Sequence, residues 1–425
     1  MGFPVNGKSD RLLIGSWHSF DPRLITEAKI QELKDCGVDF IHTYYVQREE
    51  NIRRICELCD RADLYYLPMD AQLCGGTPYL PATFPVDSGT IEEKLEKHLE
   101  RYARFQCYAG TTLMDEPSAA NFKHLKNVRE IYRRLAPGKC AFMNLFPDYA
   151  PISLLNGNAA EGENEKVRDY GEYLDRYIKT VSPDFLSIDY YPFLEMPSGG
   201  DRLAASYLNN LDHIAAKCRE TGLPFWFFIQ CTGFNHYYKI PTETEINFQM
   251  YTALAFGMRV LQLFCYVTPP NVHNEYFYYA MLDPYGNKTP IYGSVQNLIR
   301  RIRLFDGAFC RYRNTGVMRV VGEDQNFRHT FSGVLENFPP IKNVHSTNST
   351  LIGCFEHETE PEKTALLVTN FRLPDEGGSN TVTLHLNAEA AVVYTDHAET
   401  VALPNGVINL TLPSGSGAFI ELKPF

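Results

Sequence analysis

The feature that most constrains the fold of this chain is a regular alternation of short apolar runs with amphipathic helical segments. The apolar runs lie at 12–17, 40–45, 64–70, 107–116, 140–146, 185–192, 224–230 and 260–267. Most of them are continuously apolar, which is typical of parallel strands covered on both faces. Eight strand–helix units within about 300 residues predict an α/β fold of the (β/α)8 (TIM) barrel type rather than a doubly wound sheet.

The helical segments between these runs carry recognisable end signals. Segment 25–37 ends at a glycine, and segment 90–105 has acids early and bases late, which suits the helix dipole. Segment 242–257 begins with a threonine followed three residues later by an acid, the pattern of a capping box. The last helix of the barrel is expected at 292–305.

The character of the sequence changes after about residue 311. Short β-type runs separated by Pro, Gly and Asn turns replace the strand–helix alternation. This change predicts two domains, a (β/α)8 barrel over 1–310 and a C-terminal β-sandwich over 311–425. The second domain is expected to cover barrel helices or to contact another subunit.

Composition restricts the partners and the location. A net charge of −11 argues against nucleic acid or an acidic membrane as partner, because phosphate binding needs a basic face. The N-terminus lacks the pattern of a signal peptide, and no run approaches the roughly 20 apolar residues of a membrane span. The 11 scattered cysteines are read as reduced thiols of a soluble cytoplasmic protein.

The candidate site lies at the carboxyl ends of the strands, where reacting groups of such barrels are found. These ends supply carboxylates, amides, phenols and an indole, namely Trp17, His18, Tyr44, Tyr45, Asp70, Asp115, Glu116, Asn144, Asp189, Tyr190, Tyr191, Gln230 and Tyr266. No HxH motif, strand-end lysine or glycine-rich phosphate loop accompanies them, so no metal or organic cofactor is expected. Acids and amides bond hydroxyls and aromatic faces stack on pyranose rings, so the set favours a sugar ligand.

Two adjacent acids, Asp115 and Glu116, end the fourth run. Because successive strand residues point to opposite faces, the two acids need not share a site, and one can face the barrel mouth while the other bonds backbone or an arginine. We favour Glu116 as the reacting group, supported by Asp115. The alternative is that the pair caps the helix expected to start at Pro117.

The ordered motifs "MDEPSAANF", "NLFPDYA", "SIDYYPF", "PFWFFIQ" and "YFYYAMLDPYGNKTPIY" resemble bacterial barrel glycosidases of clan A, which includes the family 42 β-galactosidases. The resemblance covers about residues 12–300. In that family an Asn-Glu pair ends strand four, and its Glu is the general acid/base. Asp115 and Glu116 take this place, so the resemblance implies the acid role for Glu116.

The resemblance fails at strand seven, where the family places its nucleophilic Glu. Here Ile229 falls on that position and Gln230 on the following amide, and no register supplies a carboxylate. Three alternatives remain: an inverting enzyme, a retaining enzyme with its nucleophile elsewhere, or a barrel that binds sugar without hydrolysis. The candidates for the second carboxylate are Asp189, Asp70 and Glu275, of which Glu275 resembles an acid after strand eight in family 42.

Each candidate also has a structural interpretation. Asp189 could bond the end of strand seven, and Glu275 could be a solvated loop acid. Asp70 is favoured as a ligand of a sugar hydroxyl, and one tyrosine of Tyr190 and Tyr191 should face the pocket while the other packs on a helix.

The remaining predicted substrate contacts come from several strand ends. Trp17 is a stacking platform or a core indole, and His18 is a hydroxyl ligand or a structural histidine. Asn144, Tyr45 and Gln230 are expected to contact the sugar. Tyr266 is expected to hold an acid in position.

The sequence therefore predicts a glycoside hydrolase acting on a short oligosaccharide or glycoside, with a β-galactoside implied by the resemblance alone. The alternative is a non-hydrolytic carbohydrate-binding protein on the same scaffold. A lyase or isomerase of sugar acids is disfavoured, because no metal cluster or strand-end lysine is visible. The expected partner is a small carbohydrate, and formation of a homo-oligomer is left open.

Overall fold

The computed structural model describes residues 3–4, 9–17, 22–43, 48–69, 89–157, 166–196, 201–271 and 275–423. In its first part, strands alternate with helices. The strands are β1 (Leu13–Ser16), β2 (Phe40–Thr43), β3 (Tyr65–Pro68), β4 (Gly110–Asp115), β5 (Cys140–Asn144), β6 (Leu186–Asp189), β7 (Phe193–Glu195), β8 (Asp201–Leu203), β9 (Phe225–Gln230) and β10 (Met258–Phe264). Each apolar run of the sequence overlaps one of these strands.

The helices of this part follow the strands. They are α1 (Glu27–Cys36), α2 (Glu49–Ala62), α3 (Ile91–Tyr102), α4 (Phe122–Leu135), α5 (Ile152–Asn156), α6 (Tyr170–Val181), α7 (Tyr207–Thr221), α8 (Glu243–Ala255), α9 (Pro290–Ile302) and α10 (Asp306–Phe309). The capping box predicted from sequence is present at α8, where Thr242 pairs with Glu245, and α3 has a second one, in which Thr90 pairs with Glu93. Among the described residues, none of the helices combines the length and apolar character that a bilayer crossing requires.

The strands pair mainly in parallel. Six of them form one sheet in the order β3-β2-β1-β10-β9-β6, and β4 pairs with β5. Isolated parallel bridges join the two groups, Met69 with Thr112 on one side and Leu145 with Ile188 on the other. Strands β7 and β8 form a separate antiparallel hairpin after β6. The carboxyl ends of the parallel strands therefore lie at one end of this region.

Aromatic side chains pack one face of the parallel strands. Trp226 stacks on Phe185 with ring centroids 4.0 Å apart, and Phe142 lies 5.9 Å from Trp226. Gly15 makes room for this packing, because a Cβ at that position would lie 2.2 Å from the ring of Phe40. The packed rings fill the space towards the amino ends of the strands.

The second part of the described chain is antiparallel. Its strands are β11 (Tyr312–Val320), β12 (Ile341–Ser346), β13 (Thr350–His357), β14 (Thr364–Asn370), β15 (Asn380–Leu386), β16 (Ala390–Tyr394), β17 (Ala398–Ala402), β18 (Val407–Leu412) and β19 (Gly417–Lys423). They form one sheet in the order β11-β13-β14-β19-β16-β17 and another in the order β12-β15-β18. Apolar side chains from both sheets, such as Val368 and Leu384, belong to one buried cluster.

The two parts are in contact through α8 and the chain around α10. The side-chain nitrogen of Asn314 donates to the backbone oxygen of Ala255 at 3.0 Å, and Phe305 stacks on Phe419 at 5.6 Å. The antiparallel part thus covers helices of the first part, one of the two roles expected from sequence.

Candidate active site

A cavity of about 190 Å³ opens at the carboxyl ends of the parallel strands. Its polar lining consists of four acids and an amide, Asp115, Glu116, Asp189, Glu275 and Asn144. Its aromatic lining consists of Trp17, Tyr149, Tyr191, Phe228, Phe234, Tyr238, Phe264 and Phe277. The fold therefore brings the predicted catalytic acids Glu116, Asp189 and Glu275 into one site. The predicted contacts Trp17, Asp115, Asn144 and Tyr191 line the same cavity.

Both members of the acidic pair line this cavity, so the interpretation that turns one of them away from it does not hold. Strand β4 ends at Asp115, and Glu116 has a φ of 47°, in the left-handed region. The pleated alternation therefore stops between the two residues. The backbone N–H of Glu116 still donates to the oxygen of Asn144 at 2.8 Å. A non-glycine residue with this φ is strained, and such residues concentrate at functional sites.

The acidic pair does not cap the following helix. A short 3-10 turn at Ala119–Asn121 comes first, and its cap is Ser118, whose backbone N–H donates to Oδ1 of Asn121 at 3.1 Å. Helix α4 begins only at Phe122. The alternative role of Asp115 and Glu116 as a helix cap is therefore wrong.

A chain of buried hydrogen bonds positions Asp189. In order, His42 donates to Gln262 at 3.1 Å, Gln262 to Ser187 at 3.0 Å, Ser187 to Asn144 at 2.9 Å, and Asn144 to Asp189 at 2.7 Å. Burial lowers the pKa of His42 to about 3, so the ring is neutral, and the bond to Gln262 opposes this shift. The side chain of Asp189 therefore bonds Asn144 at the end of β5. Its structural interpretation had placed this bond at the end of the seventh barrel strand, which is β9.

Asp115 and Asp189 are close enough for the charge of one to change the pKa of the other. Burial raises the pKa of Asp115 to about 7, and the negative charge of Asp189 contributes to the rise. Burial also raises the pKa of Asp189 to about 6, although hydrogen bonds from Asn144 and Tyr191 oppose it. The pair therefore retains a proton close to neutral pH, and that proton belongs to both carboxyls. A protonated carboxyl beside an ionised one is the arrangement that acid–base catalysis needs.

The tyrosines after β6 divide as predicted. Tyr191 lines the cavity, whereas the hydroxyl of Tyr190 bonds Ser206 at 2.8 Å and its ring lies 5.5 Å from Tyr207 of α7. Tyr191 also contacts Phe264 at 5.0 Å and Phe234 at 5.4 Å between ring centroids. These contacts make one continuous aromatic wall.

Gln230 and Tyr266 do not line the cavity, in contrast to the sequence prediction. The amide of Gln230 donates to the oxygens of Phe193 and Lys239 and accepts from the N–H of Phe193. Its polar atoms therefore hold two loops together and are not available to a sugar. Tyr266 is fully buried, and its hydroxyl donates to the backbone oxygen of Lys29 at 3.5 Å. Its expected role of holding a catalytic acid has no support from these contacts.

The seventh barrel strand is β9, and its end is apolar where the family 42 enzymes have their nucleophilic carboxylate. Phe228 of β9 lines the cavity there, and Trp17 packs edge-on against it at 5.8 Å. Ile229 lies in the hydrophobic core on the other face of the strand. The predicted contacts His18, Tyr45 and Asp70 lie outside the described residues.

Sequence reasoning missed most of the aromatic lining. Tyr149 belongs to the motif "NLFPDYA", of which only Asn144 was considered, and Phe264 precedes the chosen Tyr266 by two residues. Phe234 and Tyr238 stack at 4.2 Å in the loop after β9, and Phe234 also stacks on Phe277 at 5.6 Å. The alternation in β9 could have identified Phe228, but no local signal distinguishes the loop residues. Among the described residues, no group of three or more acids, histidines or cysteines is arranged to hold a metal ion.

The comparisons with known proteins show similarity in fold. No protein-family model matches the chain, and no curated protein matches it in sequence. A β-galactosidase from Bacillus circulans sp. alkalophilus is 10% identical, with a TM-score of 0.58, covering 98% of this chain and 100% of that chain. A catalytic mutant of a GH42 β-galactosidase from G. stearothermophilus is 9% identical, with a TM-score of 0.60, covering 98% of both chains.

A further solved structure overlaps this chain only in part. The β-galactosidase of the Antarctic haloarchaeon Halorubrum lacusprofundi is 11% identical with a TM-score of 0.48, and this chain spans 59% of its length. The two larger overlaps extend over both parts of the chain. The chain therefore has the fold of glycoside hydrolases of the β-galactosidase type.

Proposed function

We propose that this protein is a glycoside hydrolase that cleaves a short oligosaccharide or glycoside, with Glu116 as general acid. The observation that carries the proposal is the meeting of Glu116 with three further carboxylates and an aromatic wall in one strand-end cavity. Barrel enzymes place their reacting groups at this end. A β-galactoside is the proposed substrate, and it rests on the fold similarity to β-galactosidases.

We also infer the complete architecture from the pairing. The parallel bridges on both sides of β4 and β5 support closure of the eight strands into a (β/α)8 barrel over 1–310. The shared core of the two antiparallel sheets supports a β-sandwich over 311–425. A cytoplasmic location and self-association stay predictions.

The proposed mechanism divides the work between two carboxyl groups. Glu116 donates a proton to the leaving-group oxygen while the glycosidic bond breaks. Asp189 or Glu275 acts on the anomeric carbon, either directly or through a water molecule. Asn144 and Tyr191 orient Asp189, and the aromatic wall contacts the apolar face of the ring.

The test is release of nitrophenol from a panel of aryl glycosides. The Glu116→Gln variant should lose activity by about 10²- to 10⁴-fold, the range for removal of a general acid. The control is Glu96→Gln, the same chemical change on the exposed face of α3, which should keep full activity. Full activity of Glu116→Gln would show that another group is the acid.

The second candidate function is sugar binding without hydrolysis. It is favoured by the strand-seven end, where Phe228 faces the cavity and the Gln230 amide is occupied by backbone groups. Under this alternative, sugars bind in a calorimeter but no member of the aryl glycoside panel is cleaved. Cleavage that depends on Glu116 excludes it.

A further inference from the structure

A group of buried polar side chains is connected to the cavity without lining it. His42 of β2, Gln262 of β10 and Ser187 of β6 are almost completely excluded from solvent, and these three residues are not part of the cavity wall. The interior of strand arrangements of this kind is mostly filled by branched apolar residues. Because a buried polar group is costly unless it is bonded, these three side chains, here called the polar chain, depend on the hydrogen bonds that join them.

The hydrogen bonds of the polar chain all run in one direction. Nε2 of His42 donates to the oxygen of Gln262, and the nitrogen of Gln262 donates to the hydroxyl of Ser187. The hydroxyl of Ser187 in turn donates to the oxygen of Asn144. An amide oxygen only accepts and an amide nitrogen only donates, so each link fixes the orientation of the next. The nitrogen of Asn144 is thereby turned towards the cavity.

This nitrogen is shared by two acids, Asp115 and Asp189, here called the acid pair. It donates to Oδ1 of Asp189 at 2.7 Å and also bonds Asp115. A donor held against a carboxylate favours the ionised form, whereas an amide oxygen in the same place favours the protonated form. The end of the Asn144 amide that faces the acid pair therefore decides which form is stabilised.

The reverse direction of the chain requires a protonated Asp189. Its carboxyl then donates to the oxygen of Asn144, and every later bond is reversed until Nε2 of His42 becomes an acceptor. Burial lowers the pKa of His42 to about 3, and the neutral ring carries one proton that can sit on either nitrogen. Nδ1 lies 3.3 Å from the hydroxyl of Thr112, which can donate to it or accept from it. The direction of the chain and the protonation of the acid are therefore linked.

The groups around the two ends of the chain differ in charge. The contacts of the His42 ring are with the uncharged side chains of Thr112, Gln262, Trp17, Phe40, Phe142 and Phe228. The ionisable groups near the acid pair are Tyr149, Tyr170, Tyr191 and Tyr238, together with Glu116 and Glu275 of the cavity wall. A substitution in the polar chain changes none of these groups, so its effect on the acid pair is attributable to the chain.

We propose that the polar chain holds the nitrogen of the Asn144 amide towards the acid pair, and that its three members are positioning residues for the proton that the pair shares. The chain makes this proton easier to release, although His42 lies three hydrogen bonds away from Asn144. Its effect on the proton is independent of any reaction. Its effect on a rate of hydrolysis rests on the proposed function.

The experiment follows the acid pair by NMR of the full chain with isotope-labelled aspartate carboxyl carbons. Asp115→Asn and Asp189→Asn assign the two signals. His42→Phe keeps an aromatic ring but removes both ring nitrogens, and Ser187→Ala breaks the chain at its other end. Each of these two changes should raise the pH at which the pair loses its last proton by at least about half a unit.

The matched control is His98→Phe. His98 of α3 is also buried, and its Nε2 bonds the hydroxyl of Thr111 at 2.6 Å, so the same exchange is made outside the polar chain. It should leave the titration of the acid pair unchanged. Ser187→Ala removes a single oxygen and decides the test if His42→Phe does not fold. An unchanged or lowered midpoint in Ser187→Ala overturns the proposal, and so does an equal rise in His98→Phe.

The outcomes separate this inference from the proposed function. If aryl glycosides are cleaved, the pH profile of kcat in Ser187→Ala should shift with the midpoint, while KM stays close to wild type because Ser187 does not line the cavity. A raised midpoint without any cleavage supports the polar chain and removes the hydrolase. Cleavage that depends on Glu116, with an unchanged midpoint, has the opposite meaning.

Discussion

Asp39 and Asp189 are equally buried aspartates at opposite ends of the parallel strands, with exposed fractions of 6% and 8%. Asp39, just before β2, accepts from Arg11 at 2.6 Å, from Arg303 at 2.8 Å and from the backbone N–H of Ile14 at 3.0 Å. Asp189, at the end of β6, has an amide and a phenol as donors and a second aspartate beside it. Asp39 is therefore neutralised by two arginines, whereas Asp189 is held by neutral donors beside a second acid.

This difference matches the usual arrangement in folds of this kind, in which the amino ends of the strands serve stability and the carboxyl ends carry the active site. Charges paired with arginine at the amino ends of strands hold the chain together, and they offer nothing to a ligand. At the carboxyl ends, burial disfavours the ionised forms of Asp115 and Asp189 and raises their pKa values, and for Asp115 the charge of Asp189 adds to the rise. The energetic cost of that arrangement is expected where a ligand supplies the compensation.

The largest stability effect is expected from Asp39→Asn. It leaves Arg303 and Arg11 without their shared carboxylate, and breaking a largely buried ion pair from one side is strongly destabilising. Because both arginines keep some contact with water, we expect a loss of about 2–3 kcal/mol. Urea unfolding at pH 7 measures this loss of stability. An unchanged midpoint would show that Asp39 does not stabilise the fold.

The matched change Asp189→Asn should have the opposite sign. Removing this charge relieves its repulsion with Asp115, and the hydrogen bond from Asn144 can persist to the new amide oxygen. A gain of about 1 kcal/mol is expected at pH 8, together with loss of any hydrolytic activity. Destabilisation similar to that of Asp39→Asn would mean that Asp189 is a structural acid.

The pH dependence of the free energy of unfolding tests the same contrast between Asp39 and Asp189. The folded protein binds protons at Asp115 and Asp189 more tightly than the unfolded chain, because burial raises both pKa values. Their contribution to stability is therefore present at low pH and is lost as pH rises through about 6 to 7. The advantage of Asp189→Asn over wild type should shrink from pH 8 towards pH 5, as followed by urea midpoints. An advantage that stays constant over this range would contradict the raised pKa values.

The smallest effect is expected from Arg11→Ala. The Arg11 side chain is half exposed, and Arg303 continues to neutralise Asp39 after its removal. Exposed ion pairs contribute less than about 1 kcal/mol. The control is Arg303→Ala, which also removes bonds to the backbone oxygens of Leu12 and Gly37 and should cost several times more. Equal losses for the two variants would show that the network does not depend on burial.

The order of the elements followed from the sequence, because apolar runs and helix caps are local properties. Thr90 and Glu93 or Thr242 and Glu245 form capping boxes wherever their helices lie. The strand-end rule then selected Glu116, Asp189 and Asn144, which the fold does bring together. Glu275 came from a family resemblance alone.

The details that failed were those decided by backbone turns and by loops. A residue with a φ of 47° placed Glu116 on the same side as Asp115, and alternation along a strand cannot reveal such a turn. Gln230 satisfied the strand-end rule, yet its amide bonds the backbone oxygens of Phe193 in β7 and of Lys239 in the segment after β9. Phe234 and Phe277 meet across 43 residues of sequence separation, which no periodicity encodes.

The sequence by itself determined the parallel α/β part, the β-rich part after it and the placement of acids at strand ends, because hydrophobic periodicity is written along the chain. Only the tertiary structure decided which charges are neutralised. Arg11 and Arg303 reach Asp39 from segments far apart in sequence, whereas Asp189 is bonded by the neutral side chains of Asn144 and Tyr191. The physical reason is that compensation of a charge depends on distance in space, which folding sets and residue order does not.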